Sequence, residues 1–289
     1  MSETITRIGV VGGGLMGGGI AEVAARTGHD VVVRERDADT ANTALAKIEA
    51  SLARGVRAGK LDDEEAANAR ALITVTDDWD ALADRQLVVE AVPEHEGTKL
   101  EAFNAMDAVV RDADAVLASN TSSIPIMKLA MATSRPETVV GLHFFNPVPV
   151  LRLVEVVPSL LTDARTIAAA ESFAAEGLHK RLIRSQDRAG FVVNSLLIPY
   201  LLSAMRMLES GFATAPDIDT GMVECCAHPL GPLALSDLVG LDTVCAVAES
   251  LYAEFKEPLF APPPILLRMV EAGLLGRKSG RGFYDHHAR

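Results

Sequence analysis

The sequence predicts an α/β protein: a doubly wound, mainly parallel sheet followed by an all-α segment. Three observations carry that prediction. Short apolar runs alternate with helical stretches from Ile8 to Asp187. A glycine-rich turn joins the first strand to the first helix. From Gly190 onward the periodicity is helical only. The expected domains are residues 1–187 and 188–289, and a chain of 289 residues is long enough for both.

Ile8-Gly9-Val10-Val11 reads as a strand that runs into Gly12-Gly13-Gly14-Leu15-Met16-Gly17. A helix over Ile20 to Ala25 follows, Gly28 stops it, and Val31 to Val33 is the next strand. Strand, glycine turn, helix and strand within about 30 residues is the context that gives a GxGxxG meaning, and it predicts a Rossmann-type dinucleotide site. Gly12 allows the tight turn, Gly14 lets a pyrophosphate approach the backbone, and Gly17 lets the helix pack on the strand. Leu15 and Met16 lie in the glycine turn, and the N-terminus of the helix after it offers free N–H groups and partial positive charge to the phosphates. Glu35 ends the second strand, where an acid hydrogen-bonds the adenosine ribose and repels a 2′-phosphate. That favours NAD, while the flanking Arg34 and Arg36 keep NADP open.

Residues 38–70 read as one long polar helical stretch carrying Ser51, Arg54, Arg57 and Lys60. These positive charges are either a solvated face or a contact for a phosphorylated substrate. Leu87-Val88-Val89-Glu90-Ala91-Val92 reads, by its apolar run, as a buried parallel strand. Ligands of doubly wound sheets bind off the carboxyl ends of the strands, so Glu94 and Lys99, just beyond, are candidates for the ribose and nicotinamide side. Ala115 to Ala118 is another strand, ending in the polar lip Ser119-Asn120-Thr121-Ser122-Ser123.

Gly141-Leu142-His143-Phe144-Phe145-Asn146-Pro147-Val148-Pro149 follows, with Glu155 inside the next apolar run, Leu153 to Val157. Two adjacent strands would bring the imidazole of His143 beside the carboxylate of Glu155, a pair suited to general base chemistry. Its expected place on the same sheet edge as Ser122 and Glu94 strengthens that reading. A strand at Arg181 to Ile183 closes the first domain. Helices are then expected at Phe191 to Leu208, from Pro216, at Pro232 to Val239, at Leu241 to Phe255 and at Ile265 to Ala272. Asn194 lies in the first turns of the first of them. Helices this apolar have more surface than one small bundle hides, which predicts a homodimer.

The net charge of −12 argues against nucleic acid or an anionic membrane surface as partner. Three cysteines, two of them adjacent, make neither a disulfide framework nor a zinc motif, and no metal is expected. No run of roughly 18 apolar residues is present, and no signal peptide is read at the N-terminus. The expected location is the cytoplasm.

Ile8 to Gly17, Ala118 to Ser123, Gly141 to Pro149 with Leu153 to Val157, Gly190 to Asn194, His228 to Leu241 and Lys278 to Tyr284 resemble the signatures of the L-3-hydroxyacyl-CoA dehydrogenases, among them the single-function 3-hydroxybutyryl-CoA dehydrogenases of bacteria. The resemblance spans essentially the whole chain. It implies an NAD-dependent oxidoreductase that interconverts 3-hydroxyacyl-CoA and 3-ketoacyl-CoA in fatty acid or butanoate metabolism. It implies His143 as catalytic base, Glu155 as its partner, and Ser122 and Asn194 as contacts of the reacting substrate. Glu35, Glu94, Lys99, Ser122, Asn146 and Lys278 fall where the family contacts NAD, and Ser51 where it contacts coenzyme A. Ala58 stands where the family has a second coenzyme A lysine, a role open to Arg57 or Lys60. Ala189 replaces a usual proline and Ser195 a usual arginine. The other readings are an NADP-dependent acetoacetyl-CoA reductase of the same fold, a dehydrogenase of a free hydroxy acid, and a non-catalytic NAD-binding protein.

Overall fold

The structure, a computed structural model, describes residues 4–287. The chain forms two compact units that divide between Arg188 and Ala189. The first contains one eight-stranded sheet in the order β3-β2-β1-β4-β5-β6-β7-β8. Its strands are β1 (Arg7–Val11), β2 (Asp30–Arg34), β3 (Ile73–Thr76), β4 (Leu87–Glu90), β5 (Val116–Ser119), β6 (Val139–Phe144), β7 (Leu153–Pro158) and β8 (Arg181–Arg184). All neighbours are parallel except β6 and β7. The doubly wound, mainly parallel sheet expected from the sequence is therefore present.

The helices of this unit are α1 (Leu15–Arg26), α2 (Ala38–Arg57), α3 (Asp63–Ala71), α4 (Glu96–Val109), α5 (Ile126–Ala130) and α6 (Ala164–Ser172). After β1 the chain builds outward to β2 and β3, then returns to place β4 on the other flank of β1. That reversal opens a crevice at the carboxyl ends of β1 and β4, where the glycine loop lies. The inner strands β4 and β5 are buried at every residue, which is why their sequence lacks polar alternation.

Two local features depart from the sequence reading. The stretch 38–70 is two helices, because Gly59 turns the chain at φ +63° and Asp62 starts α3 with a reciprocal cap to Glu65. Strand β3, which no apolar run announces, is a half-buried edge strand beside β2.

The second unit is helical: α7 (Val193–Glu209), α8 (Ala215–Cys226), α9 (Pro232–Val239), α10 (Leu241–Phe255) and α11 (Pro264–Glu271). Its core joins Leu201, Leu202 and Met205 of α7 to Leu233 of α9 and Val244, Ala248 and Leu251 of α10. The entry to α7 passes through left-handed backbone at Gly190 and Phe191, and the N–H groups of Asn194 and Ser195 both return to the Gly190 carbonyl. Ser195 bonds locally as well, its hydroxyl donating to the Phe191 carbonyl at 2.6 Å. Among the described residues no helix is long and apolar enough to cross a membrane.

The glycine loop separates two reasons for having no side chain. A Cβ on Gly17 would lie 1.8 Å from the Gly12 carbonyl oxygen, so only glycine lets α1 approach β1 this closely. A Cβ on Gly14 would meet no protein atom within 4 Å, and its φ of −64° suits any residue. Gly17→Ala is expected to lower stability by about 3 kcal/mol in urea titration. Gly14→Ala should leave the unfolding midpoint essentially unchanged, and equal losses at both positions would contradict the distinction.

Candidate active site

Antiparallel pairing of β6 with β7 sets His143 directly opposite Glu155. Directly paired residues share a face of the sheet with Cβ atoms about 5 Å apart, close enough for an imidazole and a carboxylate to meet. His143 Nδ1 lies 2.6 Å from Glu155 Oε2. On the other side of the ring, His143 Nε2 lies 3.0 Å from the Ser122 hydroxyl. His143 is 3% exposed and Glu155 is fully buried. In a neutral imidazole whose Nδ1 donates to the Glu155 carboxylate, the lone pair lies on Nε2 and accepts from the Ser122 hydroxyl. The Phe145 ring packs edge-on against the imidazole, with centroids 4.6 Å apart.

The loop from Phe145 to Arg152 is fixed at several points. Asn120 Oδ1 accepts from the Phe144 N–H at 2.9 Å, extending the contact of β5 with β6 past its last paired residue. Lys180 donates to the carbonyls of Val148 and Leu151, each at 2.6 Å. Burial there lowers the Lys180 ammonium below the usual lysine value. Asn146 is exposed on this loop.

The polar lip after β5 is held from below. Glu94 Oε1 accepts from the Thr121 hydroxyl at 2.5 Å, the Ser122 N–H at 2.9 Å and the Ser123 N–H at 3.2 Å. Burial alone would raise its carboxyl, but Lys99 and these hydrogen bonds outweigh that and hold it below the usual range. Lys99 is 1% exposed, with its ammonium 2.7 Å from Glu90 Oε1 and 3.2 Å from Glu94 Oε2.

At the opposite end of the crevice, Glu35 Oε1 accepts from the Gly13 N–H at 2.6 Å. Arg34 is stacked 3.9 Å over Trp79, and Arg36 is paired with Asp37 at 3.0 Å. Leu15 and Met16 begin α1, which has no acidic residue in its first turn to compete for its N–H groups. An anionic dinucleotide fits such a loop: a backbone with room above Gly14, uncommitted helix N–H groups, and a carboxylate at the end of β2. Ser51, Arg54 and Arg57 lie on α2, with Ala58 and Lys60 in the turn beyond it.

The sheet therefore gathers Ser122, His143, Glu155, Glu94 and Lys99 around one edge, while Asn194 and Lys278 belong to the second unit. There Lys278 Nζ is 2.6 Å from Asp242 Oδ2. Three contributors were not singled out from the sequence: Glu90, Phe145 and Lys180. Glu90 had a signal, since a lone acid closing the apolar run Leu87-Val88-Val89 must be paired if it is buried. Among the described residues no cluster suited to a metal ion occurs.

A folded-state carboxyl below its ordinary value contributes stability above that value and loses it as the pH falls. Glu94, ordinarily near 4.5, should therefore contribute to acid unfolding below that pH. In Glu94→Gln the stability should fall less steeply through this window, as read by urea titrations at successive pH values. An unchanged slope would remove Glu94 from the account of acid stability.

Comparison with known proteins shows the family. Residues 7–188 match the model for the NAD binding domain of 3-hydroxyacyl-CoA dehydrogenase, and residues 190–286 match the model for its C-terminal domain. A 3-hydroxybutyryl-CoA dehydrogenase of Mycobacterium tuberculosis is 57% identical over 286 residues, covering 99% of this chain and 100% of that protein. A 3-hydroxybutyryl-CoA dehydrogenase of Bradyrhizobium diazoefficiens is 41% identical, covering 99% of this chain and 97% of that one. Among solved structures, M. tuberculosis FadB2 superposes with a TM-score of 0.97 at 57% identity, over 98% of this chain and 99% of that chain. The (S)-3-hydroxybutyryl-CoA dehydrogenase of Ralstonia eutropha superposes with a TM-score of 0.92 at 41% identity, again over 98% and 99%. This chain belongs to the 3-hydroxyacyl-CoA dehydrogenase family and carries that family's NAD binding domain.

Proposed function

We propose that the chain is an NAD-dependent 3-hydroxyacyl-CoA dehydrogenase that interconverts 3-hydroxybutyryl-CoA and acetoacetyl-CoA, with His143 and Glu155 as its general base pair. The observation that carries the reading is the line Ser122–His143–Glu155, at 3.0 and 2.6 Å. The names of the relatives supply the substrate class.

In the oxidising direction His143 Nε2 takes the proton of the C3 hydroxyl as the hydride leaves C3. When bound, NAD supplies the acceptor for that hydride. Glu155 keeps Nδ1 protonated and offsets the positive charge that develops on the ring, which in a buried site would otherwise be costly. Ser122 shares the substrate oxygen with His143, and Asn194 is assigned to the substrate on the family resemblance alone. In the reducing direction the imidazolium returns its proton to the ketone oxygen. Gly12, Gly14, Leu15, Met16 and Gly17 hold the pyrophosphate and Glu35 the adenosine ribose. Glu94, Lys99, Ser122, Asn146 and Lys278 serve the nicotinamide half. Ser51, Arg54, Arg57 and Lys60 receive the coenzyme A phosphates. The carboxylate of Glu35 at the end of β2, which would repel a 2′-phosphate, supports NAD over NADP.

The chain acts in the cytoplasm, in fatty acid or butanoate metabolism, as a homodimer formed through its helical unit. Leu196 and Phe212 of that unit are 72% and 79% exposed, which supports the last point. Sedimentation at a single-chain mass across the working concentration range would exclude the dimer.

Oxidation of NADH by acetoacetyl-CoA, followed by absorbance, tests the whole reading. Acetoacetate in place of the thioester, and NADPH in place of NADH, should each be poor. His143→Ala should lose about 10²–10⁴-fold in kcat with NADH affinity nearly intact. Glu155→Gln should lower kcat more than it raises KM. Full activity in His143→Ala, or a preference for free acetoacetate, would overturn the proposal.

A further inference from the structure

Glu90 is the last residue of β4 and is fully buried. Its two carboxylate oxygens are shared among three segments. Oε1 accepts from the Lys99 ammonium at 2.7 Å and from the Val92 N–H at 2.7 Å. Oε2 accepts from the Ser119 hydroxyl at 2.6 Å. Two of these partners, Lys99 and Ser119, lead to the same turn. Lys99 continues to Glu94 at 3.2 Å, and Glu94 receives the N–H groups of Ser122 and Ser123. Ser119 accepts from the Thr121 N–H at 3.1 Å. Two arms thus run from one buried carboxylate to residues 121–123, and Ser122 then reaches His143.

Desolvation pushes the Glu90 carboxyl upward, against the opposing pull of Lys99. Burying such a pair is no efficient route to stability, since apolar residues of similar size often serve as well. What an apolar pair cannot do is direct three donors at fixed angles.

We infer that Glu90 is a positioning residue: it holds Lys99 and Ser119 so that the 121–123 turn aims Ser122 at His143. It touches no reacting atom. The inference rests on the dehydrogenase reading for its effect on rate, but not for its effect on the turn.

The test uses the full chain and the variants Glu90→Gln, Lys99→Met, Ser119→Ala and Glu90→Gln/Lys99→Met. Turnover with NADH and acetoacetyl-CoA is measured beside the amide resonances of Thr121, Ser122 and Ser123 and the thermal midpoint. Glu90→Gln keeps the shape but not the charge, so kcat should fall by about 10-fold while KM for acetoacetyl-CoA stays within about 2-fold of wild type. The three amides should shift, and the thermal midpoint should fall because Lys99 loses one of its two carboxylate partners, so kcat is read well below that midpoint, where the variant is folded. The double variant should lose no more than the worse single variant, because the two residues act as one unit. Ser119→Ala cuts the second arm without stranding a charge, and should show the same shifts with a smaller loss. It reports on the turn even if Glu90→Gln does not fold. Unmoved amides with wild-type kcat, or losses in kcat that track the fraction unfolded, would overturn the inference. An inactive wild type whose amides still shift in Glu90→Gln would sink the dehydrogenase reading and leave the positioning role standing.

Discussion

The register between β6 and β7 is the constraint on which the candidate site depends. His143 and Glu155 are twelve positions apart and meet because they are direct cross-strand partners in an antiparallel pair. Side chains alternate faces along a strand, so a slip of one residue would turn Glu155 to the other side of the sheet. It would also carry that carboxylate into the apolar core on which Val154 and Val156 now pack. Burial of those valines and alignment of His143 with Glu155 are therefore one decision. The loop between the two strands is pinned by Lys180, and the end of β6 is held by Asn120 just past β5.

Around that pair the sheet edge is built from polar groups that have exchanged water for one another. Buried polar groups are tolerated when their bonds are made and costly when they are not. Glu90, Lys99, Ser119 and Thr121 are all nearly or fully buried, and each is bonded to another member of the set. Such a network resists small displacements, because moving one member leaves others unpaired. The imidazole thus faces a preorganised turn. The glycine loop follows a different logic: a Cβ on Gly17 would strike the protein's own backbone, whereas one on Gly14 would meet no protein atom within 4 Å.

Much of this was legible in the sequence, and the boundary has physical causes. The fold class followed from periodicity, since buried parallel strands and helices leave distinct apolar patterns. Strand β3 did not, because an edge strand that is half exposed reads Ile-Thr-Val-Thr without an apolar run. The break between α2 and α3 was marked by Gly59 and Asp62, yet helical residues on both sides concealed it. Proximity of His143 to Glu155 could be argued from strand spacing. The 3.0 Å contact of Ser122 could not, because its direction depends on Glu94 and on a turn whose hydrogen bonds are tertiary. Lys180 carried no signal at all: it is a lysine before an edge strand, and only the returning loop makes it a clamp.

The central claim is that Glu155 fixes the tautomer of His143 so that Nε2 presents a lone pair to the substrate hydroxyl. Nitrogen-15 NMR of the His143 ring in the free protein at neutral pH tests it most directly. The account predicts a protonated Nδ1 and a bare Nε2, with that distribution lost in Glu155→Gln. A ring whose Nε2 carries the proton, or whose tautomer ignores the Glu155 substitution, would contradict it.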